Sequence, residues 1–160
     1  MLKFFDVDTK YTDYLRQFES KIPYINYGNN SKFVCGIVLS ISEYNYFAPI
    51  SSNKKQNETS LLIKDRSNNA LSSIRFSFMF PAPSSVLTIK DFKQIKNSDS
   101  KYADLLLKEY QYCRDNEPLI LMMAEKVHNI GCNPNHVLSQ YCCSFKLLEE
   151  KSKLWNSELA

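Results

Sequence analysis

Hydrophobic positions recur with helical spacing at the start of the chain, with strand spacing through its centre and with helical spacing again after Lys101. Tyr11, Tyr14, Leu15 and Phe18 fall at i, i+3, i+4 and i+7. That spacing predicts an amphipathic helix over residues 8–20, capped by Asp8 or Thr9 and closed by Pro23. Residues 33–40 form a continuous apolar run rich in branched side chains, which reads as a buried strand. A second strand over 44–50 follows the short Ile41-Ser42-Glu43 connection, so the two form an antiparallel hairpin. Further strands are expected at 60–64 and 71–80, separated by the turn-rich Asp65-Arg66-Ser67-Asn68-Asn69. In the second of these, Ile74, Phe76, Phe78 and Phe80 alternate with Arg75, Ser77 and Met79. Pro81-Ala82-Pro83 stops it, and 86–89 reads as a short edge strand.

After Lys101, helices are expected at 102–114 and 119–129, with a break at Asn116-Glu117-Pro118 and an end at Gly131. Asn133 and Pro134 suit a short helix start. Ser144 caps a last helix with Phe145, Leu148, Ser152 and Trp155 on one face. A strand-rich centre flanked by helices is an α+β arrangement, and 160 residues make one domain, 1–160.

Composition sharpens this picture. Hydrophobic content of 44% with 13% aromatics supports a real core and excludes a disordered chain. The five cysteines are odd in number and show no disulfide-like spacing, and no secretory leader or membrane-length apolar run is seen; all of this points to the cytoplasm. Net charge is only +3, but its distribution is uneven. From Lys32 to Lys101 ten bases face five acids, a balance of +5, while the remainder carries ten bases and twelve acids, a balance of −2. A positive central segment fits a polyanionic partner; lysines on exposed strand faces that keep sheet edges unpaired give the same count.

Chemistry concentrates at Tyr46-Phe47-Ala48-Pro49-Ile50-Ser51-Ser52-Asn53-Lys54-Lys55, where a hydrophobic strand ends in two hydroxyls followed by two ammonium groups. Such a terminus suits a phosphodiester, whose charge must be neutralised and whose oxygens must be held. Taken alone, Ser51 and Ser52 also read as a turn with the lysines at its solvated end. The two histidines, His128 and His136, belong to the helical half, and no general base stands beside the motif. Cys132, His136, Cys142 and Cys143 invite a zinc reading, but their spacing fits no standard finger and buried reduced thiols account for them better. No metal or other cofactor is called for.

The chain resembles the ToxN, AbiQ and CptN toxins of bacterial type III toxin–antitoxin systems. The resemblance is carried by Lys21-Ile22-Pro23, a lysine entering the Gly36-Ile37-Val38-Leu39 strand, and Tyr46 to Ser52. Phe78-Met79-Phe80-Pro81-Ala82-Pro83, the Tyr-rich helix after Lys101 and the run from Cys143 to Lys151 continue it in the same order, from about Phe4 to Trp155. It implies a compact, strongly twisted antiparallel sheet or barrel of the MazF and Kid type with flanking helices. It also implies a sequence-selective, metal-independent endoribonuclease, inhibited by a repeat-derived RNA pseudoknot that holds several toxin copies in a closed assembly. Cellular or phage RNA is the implied substrate, and no membrane is involved.

The family's Pro-Leu-(Thr or Ser)-Ser motif falls on Pro49, Ile50, Ser51 and Ser52. Its lysine after the hydroxyls falls on Lys54, its lysine ahead of the first long strand on Lys32, and its tyrosine before that lysine near Tyr27. Asn53 stands where some relatives have proline, which bears on loop stiffness. Ser52 is assigned an orienting or proton-relaying role, with Ser51, Lys32 and Lys54 beside it. Tyr27, Tyr44, Tyr46, Lys55, Lys64, Arg66 and Arg75 are the candidate RNA contacts, with Tyr44 and Tyr46 as stacking platforms. Two other readings stand next to the nuclease: a non-catalytic RNA-binding module of the same fold, and a protein-antagonised toxin with another target.

Overall fold

A computed structural model describes residues 2–25 and 33–159, and its sheet is built around the hairpin expected at the centre of the chain. Strands β2 (Phe33–Ile41) and β3 (Tyr44–Ser51) pair antiparallel through a two-residue turn. Ser42 and Glu43 both take positive φ, 50° and 72°, the backbone that a tight turn with the twist of its strands demands. β3 then pairs with β5 (Ala70–Arg75), and β5 with β4 (Ser60–Lys64). On the other side, β2 pairs with β1 (Phe4–Val7), and β1 with β7 (Leu87–Ile89). Every pairing is antiparallel, and the order β4-β5-β3-β2-β1-β7 leaves the sheet open, with β4 and β7 at its two edges.

The strand expected at 71–80 is two strands with a turn between them. β5 ends at Arg75, a 3₁₀ turn takes Phe76–Phe78, and the two-residue β6 (Phe80–Pro81) returns to β3 further along. The Phe76 N–H leaves the ladder for the Thr59 carbonyl at 3.1 Å, and the Met79 N–H closes the turn on the Phe76 carbonyl at 3.2 Å. β5 opposes Ile50 and Ser51, whereas β6 opposes Tyr46 and Phe47. The turn also resets the two-residue phase, so Phe76, Met79 and Phe80 are all fully buried.

Five helices complete the α+β fold. α1 (Thr9–Arg16) is shorter than its apolar spacing suggests; the Asp8 carboxylate caps it by accepting the Lys10 N–H at 2.9 Å. α2 (Phe92–Ser98) precedes α3 (Ser100–Asp115), and Asn116 breaks α3 from α4 (Glu117–Gly131), whose early Pro118 lacks the N–H a helix interior needs. A 3₁₀ turn over Val137–Tyr141 leads to α5 (Phe145–Leu159). Phe145, Leu148, Ser152 and Trp155 all face inward, as their spacing predicts.

α3 lies against β4 and β5, α4 against β2, and α5 against β6 and α1. The core between them holds Phe4, Tyr11, Tyr46, Phe47, Phe76, Phe80 and Phe145. Gly36 in β2 is part of that packing: an added Cβ would sit 2.3 Å from the Phe47 ring, which itself stacks on Phe80 at 5.2 Å.

Candidate active site

β3 delivers the hydroxyl motif to the rim of the sheet. Ser51, its last residue, pairs with Phe33 of β2 on one side and Ser73 of β5 on the other, which leaves Ser51 only 3% exposed. Its Oγ accepts the Asn53 N–H at 3.1 Å, a local turn that Ser favours. The Asn53 carbonyl in turn accepts the hydroxyl of buried Ser73 at 2.5 Å. The chain leaves the sheet at this pinned point, with Ser52, Lys54 and Lys55 exposed.

The loop beyond is held at several further places. Asn53 Oδ1 accepts the Lys55 N–H at 3.2 Å, and the Ser60 hydroxyl donates to the Lys55 carbonyl at 3.2 Å. Asn57 Oδ1 accepts both the N–H and the hydroxyl of Thr59, each at 2.9 Å. Gln56 Oε1 accepts the Leu62 N–H at 3.2 Å from edge strand β4. Side chains therefore supply the stiffness that a proline at position 53 would give. A rigid turn that presents one exposed serine and two ammonium groups to solvent can hold a phosphodiester without prior rearrangement.

Lys32 and Tyr27 lie outside the described residues; Phe33, which follows Lys32 in the chain, is the residue paired with Ser51. Tyr46 is not a stacking platform. It is fully buried, because β3 is covered on both faces from Tyr46 onward, and its hydroxyl donates to Glu149 Oε2 at 2.5 Å. Tyr44 is half-buried at the opposite end of β3, seven residues and therefore roughly 23 Å along the strand from Ser51. There Lys153 Nζ stands 5.5 Å over its ring. Lys64 and Arg66 gather with Lys108 around a separate cavity of about 370 Å³ at the β4–β5 turn. Arg75 lines a different cavity, next to the loop that starts at Ser52.

Three buried polar groups were not legible as such. Ser73 sits among apolar strand residues and fixes Asn53; a serine at a strand position that pairs inward is the only sign of it. Glu149 of α5 receives Tyr46 from the sheet and lies 3.0 Å from His128 Nε2 of α4. Burial alone would raise the Glu149 carboxyl, but the hydrogen bonds from Tyr46 and His128 and the nearby Lys146 hold it below the ordinary range. The Tyr46 hydroxyl is pushed far up by burial and then by that same carboxylate.

The third group, Glu109 of α3, is completely buried beside Ser72, whose hydroxyl donates to its Oε2; Oε1 has no hydrogen-bond partner among the described residues. Burial pushes Glu109 up to about 7. Ser72 and Ser73 thus point to opposite faces, one to α3 and one to the candidate site.

Cys142 and Cys143 are buried thiols, and burial raises both. His136 caps the 3₁₀ turn by accepting the Leu138 N–H at 3.1 Å, while Cys132 lies beside His128. No group of metal-ligating side chains assembles among the described residues, and no helix there is long and apolar enough to cross a membrane.

Known proteins share both sequence and shape with this chain. Residues 3–153 match the model of the ToxN toxin of type III toxin–antitoxin systems. Endoribonuclease AbiQ of Lactococcus lactis subsp. lactis is 32% identical, over 98% of this chain and 91% of its own length. Endoribonuclease ToxN of Pectobacterium atrosepticum is 31% identical, over 98% of this chain and 95% of its own.

Two solved structures agree. One, from work on selective toxin inhibition by a non-coding RNA pseudoknot in type III systems, superposes with a TM-score of 0.87 at 26% identity over 97% of this chain and 98% of that one. AbiQ, described as a lactococcal anti-phage endoribonuclease, superposes with a TM-score of 0.81 at 27% identity over 98% and 99%. Hydroxyl motif, open antiparallel sheet and near full-length similarity agree, and the chain belongs to the ToxN toxin family of type III toxin–antitoxin systems.

Proposed function

We propose that this chain is a sequence-selective endoribonuclease toxin that cuts RNA without a metal ion, by attack of a ribose 2′-OH on the adjacent phosphorus. Products are a 2′,3′-cyclic phosphate and a 5′-OH. The observation that carries the reading is the pinned turn at the end of β3, where Ser52, Lys54 and Lys55 are exposed on a backbone fixed by Ser51 and Ser73. Charge gathers on the non-bridging oxygens as phosphorus becomes five-coordinate, and ammonium groups placed beforehand lower that barrier. Lys54 supplies one of them. Lys32, one peptide bond from the Phe33 that opposes Ser51, is assigned as the second.

Ser51 is committed to the turn, so its part is to set the geometry. Ser52 orients the 2′-OH or a non-bridging oxygen and relays its proton; a serine without an adjacent base is a poor nucleophile. Lys55 meets the flanking phosphates, and Tyr27, on the approach to Lys32, a base. By likeness to its relatives, the toxin is held inactive by a pseudoknot RNA antitoxin in a closed assembly and, when released, acts on cellular or phage RNA in the cytoplasm. The antiparallel sheet with helices against it supports kinship with the MazF and Kid fold.

Expression without antitoxin tests the reading. Wild type is expected to arrest bacterial growth and generate new 5′-OH RNA ends, and Ser52→Ala to do neither. Equal toxicity of the two, or arrest with intact RNA, would favour the non-catalytic RNA-binding module or a toxin with a different target.

A further inference from the structure

β5 continues past Ser73 to Arg75, two residues on and therefore on the same side of the sheet. Arg75 lines a cavity of about 600 Å³ whose walls also include Asn57 and Thr59, at the far end of the loop that begins with Ser52. Phe78 from the 3₁₀ turn and Gln140 and Tyr141 from the turn ahead of α5 also line it, with Lys21 and Glu58 as further charged groups of the wall. One loop thus runs from the candidate active site to the cavity wall, and it is held by the hydrogen bonds of Asn53, Gln56 and Asn57.

Its lining combines features that the packing of the chain does not use. The Arg75 guanidinium lies over the Phe78 ring with Cζ 5.5 Å from the centroid, which fixes the plane of the donors. Its Nη1 is covered yet has no hydrogen-bond partner among the described residues. Burial also draws the Arg75 pKa below the ordinary arginine value. Tyr141, 59% exposed, adds an aromatic ring in water to the same lining. Gln140 beside it carries an amide with both a donor and an acceptor. A rigid guanidinium, an open aromatic face and an amide together recognise a flat heterocycle with an acceptor on its edge.

We propose that this cavity is a base pocket, which takes one unpaired purine of the RNA strand lying across Ser52 and Lys54, stacks it on Tyr141 and binds its N7 edge through Arg75. The inference rests on the endoribonuclease reading, because the phosphodiester at Ser52 is what brings the neighbouring base to the cavity. Purines are favoured because the two-ring base gives Tyr141 the larger face to stack on and presents N7 to Arg75, whereas uracil offers only O4 and cytosine only a donor on the matching edge. The cavity's size does not select, since it admits either class. The pocket therefore contributes sequence preference close to the cut, whereas the lysines grip any backbone.

Short single-stranded oligomers of each base, with 2′-fluoro in place of every 2′-OH so that no cleavage can occur, test this on the full chain by fluorescence anisotropy. Wild type is expected to bind the purine oligomers about tenfold more tightly than the pyrimidine ones. Tyr141→Ala and Arg75→Gln should each bring that ratio close to one while a matched thermal melt shows the fold intact. Tyr141 is solvent-exposed, so its variant reports even if Arg75→Gln fails to fold. A ratio near one for wild type, a ratio unchanged in Tyr141→Ala, or no binding of any oligomer overturns the pocket. Cleavage of unmodified RNA is read separately: cutting without purine preference removes the pocket and leaves the nuclease, and preference without cutting does the reverse.

Discussion

Ser51 and Ser52 are chemically identical neighbours with different tasks, and the hydrogen bonds divide them. Ser51 is enclosed between two strands and spends its acceptor on the turn, while Ser52 has an exposed side chain. At the same scale, Glu109 is a carboxyl buried without a cation, held at about 7 by burial. A carboxyl raised in the fold stabilises it fully below its unfolded value near 4.5, and that contribution is lost as pH climbs to 7 and beyond. Glu109→Gln removes the titration while keeping the shape. The variant should gain stability over wild type between pH 5 and pH 8, by on the order of 3 kcal/mol, in denaturant melts. Parallel curves for the two proteins across that range would mean that Glu109 is already ionised at little cost.

Hydroxyls followed by lysines after an apolar strand mark a candidate site in the sequence, but the same residues alone read as a turn with a solvated end, and the family resemblance is what singles them out. Burial was less legible. Tyr46 and Tyr44 look alike in the chain, yet one is sealed beneath α4 and α5 and the other stands at the far end of the same strand.

Among the elements, the hairpin β2–β3 and the helices after Lys101 follow their periodicity closely, since each is long enough for the spacing to be unambiguous. β1 has four residues and α2 seven, and neither carries a pattern that separates it from a loop. The split of 71–80 into β5 and β6 depends on where β3 offers partners, which local spacing does not encode.

One contact between elements is decisive for the packing: Tyr46 on β3 meets Glu149 on α5, and His128 on α4 meets the same oxygen. Tyr46→Phe removes a buried hydrogen bond to a charged acceptor and should cost about 2 kcal/mol, seen as a lower denaturation midpoint with an unchanged slope. RNA affinity should not move, because the ring never reaches solvent. A variant with full stability but weakened RNA binding would restore Tyr46 as a base contact.

For the whole molecule, the sheet is open, and the positive balance of the central segment includes Lys54 and Lys55, exposed where β3 ends, and Arg75 at the end of β5, charges that suit a polyanion lying across that end. Charge at that end of the sheet fits an RNA partner, and the proposed function places the cut at the Ser52 turn.

The most direct measurement uses purified protein in EDTA with one RNA oligomer that it cuts, made with ribose at every position or with a single 2′-deoxy residue on the 5′ side of the cut. The account predicts cleavage of the all-ribose strand to a 2′,3′-cyclic phosphate and a 5′-OH, and no cleavage at the deoxy position. A strand cut equally well there, or activity that EDTA abolishes, would contradict it.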